Sequence, residues 1–256
     1  MILKLIKRLI TSRFTGFLCF LLLWELLHLA LQTRTIPSPI ATIIYCLPIL
    51  PKLFLHSLAS IARVLAGIGI SMLIGIPIGI YLGVNRLFHR LFSPFLYFIY
   101  PIPKVAFLPV FMLLFGLGNT SKIILIIWII VFQIILSVRD GVEHIPTLQF
   151  KVMDSFCASS VQKYRYLILP AILPQIFSGL RISIGISLAS LFFAENYATE
   201  YGIGYFILSA WTKMNYVEMF GGILTLGLIG VFLYIILDKL EEYSAPWSKE
   251  VQKYNQ

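Results

Sequence analysis

The chain has 256 residues, 59% of them hydrophobic and only 12% charged, with a mean hydropathy of +0.91. A soluble domain carries about 25% charged residues, and the charges here are too few to wet the surface a soluble fold of this size exposes. An ordinary soluble enzyme and a disordered chain are both excluded, which leaves a protein whose solvent is the bilayer.

The net charge of +9 would point to nucleic acid in a soluble protein. In a membrane protein it fits Lys and Arg kept on the cytoplasmic side. Cys19, Cys46 and Cys157 lie far apart in the chain and form neither a disulfide framework nor a zinc spacing.

The amino end carries Lys4, Lys7, Arg8 and Arg13, and Phe14 to Leu31 then runs apolar except for Glu25 and His28. No small-x-small cleavage site follows, so this is an uncleaved first span with its amino end inside. Thr33 to Ser57 holds Pro37, Pro39, Pro48 and Pro51, a density that breaks helices. It is expected to be an external loop with a short interfacial helix.

Leu58 to Val84 is the second span. Its small residues Ser71, Gly75, Gly79 and Gly83 recur every four positions, a groove into which another helix can pack closely. Asn85 to Arg90 is a basic turn. Phe92 to Gly118 is apolar but interrupted by Pro94, Pro101, Pro103 and Pro109. The freed backbone groups need internal partners, so a kinked span buried among its neighbours is expected there.

Asn119 to Lys122 reads as a polar turn and Ile123 to Val138 as the fourth span. Arg139 to Ile172 leaves the membrane, Gln175 to Asn196 and Val217 to Leu237 are the last spans, and a charged tail follows. With the amino end inside, most Lys and Arg fall on the cytoplasmic side.

Charges within spans are functional candidates. Lys104, in the proline-broken span, is a candidate for the translocation path; snorkelling or a local carbonyl contact is the plain alternative. Glu195 and Asn196 end the fifth span near the outer side, where a wet helix end explains them equally well. Glu25 and His28 are spaced to hydrogen-bond each other and hold helices together. Asp140, Glu143 and His144 read as a solvated loop rather than a metal site, and Tyr197, Tyr201 and Trp211 as an interfacial belt. Gly202 and Gly204 read as a tight external turn.

The segment from Arg139 to Pro174 can form two short helices broken near Cys157-Ala158-Ser159, the second ending at Leu169-Pro170. It resembles the "EAA" loop of bacterial ABC importer permeases, in which a short helix sits in a cleft of the ATPase. Lys151-Val152-Met153 stands where EAA would, Asp154 and Ser155 follow, Cys157 replaces the usual Gly, and Leu169-Pro170 closes the register. IPSPIATI, the Ser57–Gly83 and Pro101–Ile123 stretches, Leu169–Glu195 and YGIGYFI are together similar to the sulfonate, nitrate and taurine branch of these permeases, which includes carriers of bicarbonate and thiamine-pyrimidine precursors.

Two departures stand out. Lys151 reverses the charge of the usual Glu, with Asp154 one turn on to pair with it or replace the acid. Cys157 costs about 1 kcal/mol if the break needs a left-handed residue.

The resemblance implies an all-α polytopic bundle of about six transmembrane helices with a cytoplasmic coupling-helix loop. Its parts would be an amino-terminal end and first span (1–32), an external loop (33–57), a permease core (58–240) with the coupling loop at 139–173, and a cytoplasmic tail (241–256). Lys151, Val152, Met153, Asp154, Ser155, Cys157, Ala158, Ser159, Leu169 and Pro170 would form the ATPase contact.

The implied partners are ATPase subunits, a second permease copy in a homodimer, an external solute-binding protein and membrane lipid, with no nucleic acid. The chain has no GxxxxGK[ST] phosphate loop, so ATP would bind the partner ATPase and no cofactor this chain. The expected place is the bacterial plasma membrane with both termini cytoplasmic, and the expected activity is import by alternating access. An ATP-independent transporter or channel would want carboxylates in mid-membrane, and a membrane enzyme a catalytic constellation; neither is evident in the sequence.

Overall fold

The structure, a computed structural model, describes residues 13–247, and the basic residues before Arg13 lie outside that range. The described residues are helical and contain no strand. In chain order the helices are α1 (Arg13–Leu31), α2 (Pro39–Cys46), α3 (Leu50–Val84), α4 (Arg86–Ile99) and α5 (Leu108–Phe115). They continue with α6 (Asn119–Glu143), α7 (Thr147–Ser155), α8 (Ser160–Lys163), α9 (Leu169–Glu195), α10 (Ile203–Thr212) and α11 (Tyr216–Ser244).

Among the described residues, four helices are long and apolar enough to cross a membrane: α3, α6, α11, and the 36-residue run Ser160–Glu195 that ends in α9. The pair α4 and α5, bent by 83° at the proline-rich break, supplies a fifth span. Thr15–Leu31 of α1 has 17 residues, the lower limit for a span.

Helix ends differ from the expected ones for one recurring reason. Pro51 sits in the first turn of α3, where the missing N–H has no intrahelical acceptor to lose, and Pro170 lies inside the continuous run Ser160–Glu195, just after a π turn that accommodates its ring. The second span therefore starts at Leu50, inside the stretch expected to be a loop. Leu169-Pro170 does not end a helix: a π turn at Tyr164–Ile168 leads directly into α9. Asn85 alone forms the expected basic turn, its side chain accepting from the N–H groups of Leu87 and Phe88 at 3.1 Å. Asn119 to Lys122, expected to be a turn, is the first turn of α6.

The closest helix pair is α3 with α6. Gly67, Gly75, Gly79 and Gly83 face Ile126, Ile134, Val138 and Val142, a constant difference of 59 positions. The helices therefore run parallel and in register, and the bent α4–α5 pair carries the chain back between them. A Cβ on Gly79 would lie 2.7 Å from Val138 Cβ and 2.8 Å from the Ile135 carbonyl. The four-residue glycine spacing read from the sequence is thus the contact face itself.

Around this pair, α9, α10 and α11 complete one apolar core through Val64, Ile130, Val138, Ile172, Leu191, Ile203 and Leu233. Arg181 ties α9 to α11 through Asp238, 2.8 Å away, and Glu241. At the edge of the bundle, Trp24 of α1 donates to the Pro37 carbonyl at 2.9 Å and stacks on Phe220. His28 meets the Ile36 carbonyl at 2.6 Å, so its partner is the following loop and not the expected Glu25.

Candidate functional site

The connection between α6 and α9 projects a helix away from the bundle. Phe150 of α7 packs against the core. On the opposite face Leu148, Val152 and Phe156 are 68%, 48% and 81% exposed. Their four-residue spacing forms one apolar stripe, and Val161 extends the exposed apolar surface. An exposed apolar stripe of this kind marks a surface for another protein or for the membrane.

The break after α7 is built as a Schellman turn. Cys157 N–H donates to the Asp154 carbonyl at 2.9 Å and Ala158 N–H to the Met153 carbonyl at 3.0 Å. Cys157 itself is left-handed, with φ at +51°, the conformation that favours glycine. Ser159 then caps α8 in a capping box with Gln162.

Asp154 pairs with Lys163 across the turn. Of the two roles expected for Asp154, pairing with Lys151 or replacing the acid, the pairing is not formed, and Lys163 of α8 is its partner instead. Leu169 and Pro170 lie at the start of α9, beyond the π turn.

At the opposite end of the bundle, three charged side chains are almost fully buried: Arg63 (7% exposed), Lys122 (2%) and Glu195 (1%). Glu195 accepts from Arg63 Nη1 at 2.5 Å, from Ser60 Oγ at 2.8 Å and from Gly204 N–H at 2.8 Å. Arg63 Nε also donates to Asn119 Oδ1 at 2.9 Å. Lys122 donates to the carbonyls of Leu117, Gly118 and Ala198 at 3.0–3.2 Å. Glu195 is thus no wet helix end. Asn196 beside it faces the carbonyls of Phe192 and Gly204, to which its amide nitrogen donates once the amide is turned over.

Gly202 and Gly204, expected in an external turn, close this cluster. A Cβ on Gly202 would lie 2.4 Å from the Glu195 carboxyl carbon, so only glycine lets the chain pass. Tyr197, Tyr201 and Trp211 are exposed at this end, as an interfacial belt requires.

Lys104 follows the break between α4 and α5. Its Nζ donates to the Tyr100 carbonyl at 2.8 Å and lies 5.2 Å and 5.8 Å from the ring centres of Tyr100 and Phe132. The proline break frees that carbonyl, and the lysine satisfies it. Asp140 pairs with Arg139 at 2.6 Å and Glu143 meets His89 at 3.3 Å. Among the described residues no group of three His, Cys, Asp or Glu is placed to hold a metal ion.

The sequence reading placed the break of the loop but missed the Leu148–Val152–Phe156 stripe, whose signal was a four-residue apolar spacing in a polar segment. It also missed the joining of Arg63, Lys122 and Glu195. The signal there was opposite charges stranded in separate apolar runs.

Residues 75–250 match the family described as binding-protein-dependent transport system inner membrane component. The chain is 32% identical to the taurine transport system permease protein TauC of Escherichia coli over 78% of this chain and 73% of that protein. It is 30% identical to the bicarbonate transport system permease protein CmpB of Synechococcus elongatus, covering 91% of this chain and 87% of that protein. A third relative is the formylaminopyrimidine transport permease protein ThiX of Halalkalibacterium halodurans, 27% identical over 91% of this chain and 94% of that protein.

Among solved structures, the fold is similar to a chain of the inward-facing MetNI methionine ABC transporter. The TM-score is 0.65 at 18% identity, covering 73% of this chain and 93% of that one. With this fold, an exposed helix on one side and a family match across the core, the chain belongs to the binding-protein-dependent inner-membrane permeases and is the membrane-spanning subunit of an ABC importer.

Proposed function

We propose that the loop from Leu148 to Val161 is the surface on which the ATPase docks, and that Leu169 and Pro170 carry its motion into α9. The observation that carries this is the stripe of Leu148, Val152 and Phe156, apolar and exposed on a helix outside the membrane. ATP binds and is hydrolysed on the partner subunit, and no cofactor is held by this chain. Two copies of the permease, two ATPases and an external binding protein complete the importer. Both termini and the loop face the cytoplasm, and the Arg63–Lys122–Glu195 cluster lies toward the outside.

The solute is a small polar molecule of the kinds named for the relatives: taurine, an aliphatic sulfonate, nitrate, bicarbonate or a formylaminopyrimidine. Lys104, at the break of a bent span, is our candidate for the cation that meets it, exchanging its bond to the Tyr100 carbonyl for one to the solute. Glu195 and Asn196 act beside the path as bracing, since their polar atoms are turned into the bundle.

Co-purification tests the docking surface. The full chain is expressed with candidate ATPases from its own genome and the detergent complex is weighed. Phe156→Glu, at an exposed position, should leave the permease folded and remove the ATPase. Asp154→Lys, which repels Lys163, should weaken the complex. Retention of the ATPase by both variants contradicts this docking surface.

A further inference from the structure

The run from Ser160 to Glu195 is one helical element of 36 residues, about 54 Å long at ~1.5 Å per residue. One end begins in the docking loop at the Ser159 capping box. The other end is Glu195, whose carboxylate reaches over to a different helix.

The amino terminus of α10 presents three successive backbone donors, and side chains take all three. Gly202 N–H donates to His56 Nδ1 at 3.0 Å, Ile203 N–H to Ser60 Oγ at 2.9 Å and Gly204 N–H to Glu195 Oε2 at 2.8 Å. Ser60 Oγ in turn donates to Glu195, and Arg63 fixes the same carboxylate. The loop joining α9 to α10 is held as well, through the Ala198 carbonyl on Lys122. No side chain fits between Gly202 and Glu195. These hydrogen bonds join the start of α10 to both α3 and α9 around one buried carboxylate.

We propose that Glu195 is a positioning residue that clamps α10 to α9 and to the outer end of α3, so that displacement of the docking loop reaches the outer end of the permease as rigid-body motion of these segments together, α10 keeping its place on α9. The proposal rests on the docking reading above. It differs from a gate in which α10 swings alone, and it assigns Glu195 a mechanical role with no solute contact.

The test uses spin labels on Ile182→Cys of α9 and Trp211→Cys of α10, both exposed positions, in full-length chain with the three native cysteines replaced by serine. The chain is assembled with its ATPase in liposomes, and pulsed EPR distances are recorded without nucleotide and with ATP and vanadate. Labelled chain is diluted with an excess of unlabelled chain so that only the distance within one copy is read, and the clamp predicts that this distance is narrow and unchanged between the two states.

Glu195→Asp keeps the charge opposite Arg63 but withdraws it by one methylene from Gly204 N–H. This variant should hydrolyse ATP within twofold of the parent while the distance broadens and shifts with nucleotide. Ser60→Ala, which keeps the charge pair, should do the same to a smaller degree. A parent distance that changes with nucleotide overturns the proposal, as do variants with the parent's narrow distribution. If neither variant assembles, the cluster serves folding alone and the proposal falls. If the unaltered chain binds no ATPase, the docking reading fails; the nucleotide-free distances of chain alone still report whether Glu195 holds α10.

Discussion

The packing of α3 on α6 allows a mutation pair that isolates steric collision from every other effect. Gly69 and Gly79 both lie in the interior of α3. A Cβ added at Gly69 meets nothing within 4 Å, whereas at Gly79 it meets Val138 Cβ at 2.7 Å and the Ile135 carbonyl at 2.8 Å. Replacing glycine by alanine within a helix gains up to about 1 kcal/mol in backbone propensity, and that gain is common to both sites. Overpacking at a tight contact costs about 1–3 kcal/mol and applies at Gly79 alone, because a backbone carbonyl on the facing helix cannot swing aside.

Gly69→Ala should therefore be neutral or stabilising, and Gly79→Ala should lie about 1–3 kcal/mol below it. Thermal and SDS-driven unfolding of the purified chain in one detergent measures the difference directly. The double variant Gly75→Ala/Gly79→Ala should fall further, since Ile134 and the Val131 carbonyl meet a Cβ at Gly75 at 2.9 Å and 3.3 Å. Equal stability of Gly69→Ala and Gly79→Ala would refute the parallel, in-register packing.

Other outcomes follow from single contacts. Cys157→Gly relieves a left-handed side chain at φ +51° and should raise stability by about 0.5–1 kcal/mol, read as a higher unfolding temperature with ATPase binding retained. Arg63→Ala strands the Glu195 carboxylate in a buried site and should cost about 3–5 kcal/mol, read in the same unfolding assay. Arg63→Lys should recover only part, because an ammonium lacks the fork that serves Asn119 and Glu195 together. Lys122→Met keeps the apolar stem but leaves three carbonyls without their donor; a loss of about 1–3 kcal/mol is expected.

Much of the bundle was legible because the bilayer imposes a length and a polarity on every span. The glycine period of α3 announced a close helix contact before any partner was known, and the prolines at 101 and 103 announced the bent pair. Proline was also the source of the main misreadings. Pro51 and Pro170 look like breakers in the sequence, yet Pro51 opens a helix, where the ring obstructs nothing, and Pro170 follows a π turn that makes room for it. Whether a proline opens a helix or interrupts one depends on the neighbouring turns.

The buried charges were the harder case. Arg63 and Glu195 are 132 positions apart, and no local pattern joins residues so distant. Each could be read alone as a wet helix end or a soft boundary. Considering the charges of apolar runs together, with the demand that a buried charge find a partner, would have brought them closer to the observed cluster. The Leu148–Val152–Phe156 stripe is legible from its four-residue period alone, on the helix that also carries Lys151-Val152-Met153.

The central claim, that this loop receives the ATPase, is most directly tested at Cys157. The thiol is exposed at the turn between α7 and α8. With Cys19 and Cys46 replaced by serine, maleimide labelling of Cys157 is compared in the permease alone and in its stoichiometric complex with the ATPase. The account predicts rapid labelling of the free chain, protection in the complex, and a cross-link to the ATPase through a short bis-maleimide. A thiol that stays equally reactive in the complex and yields no cross-link would contradict it.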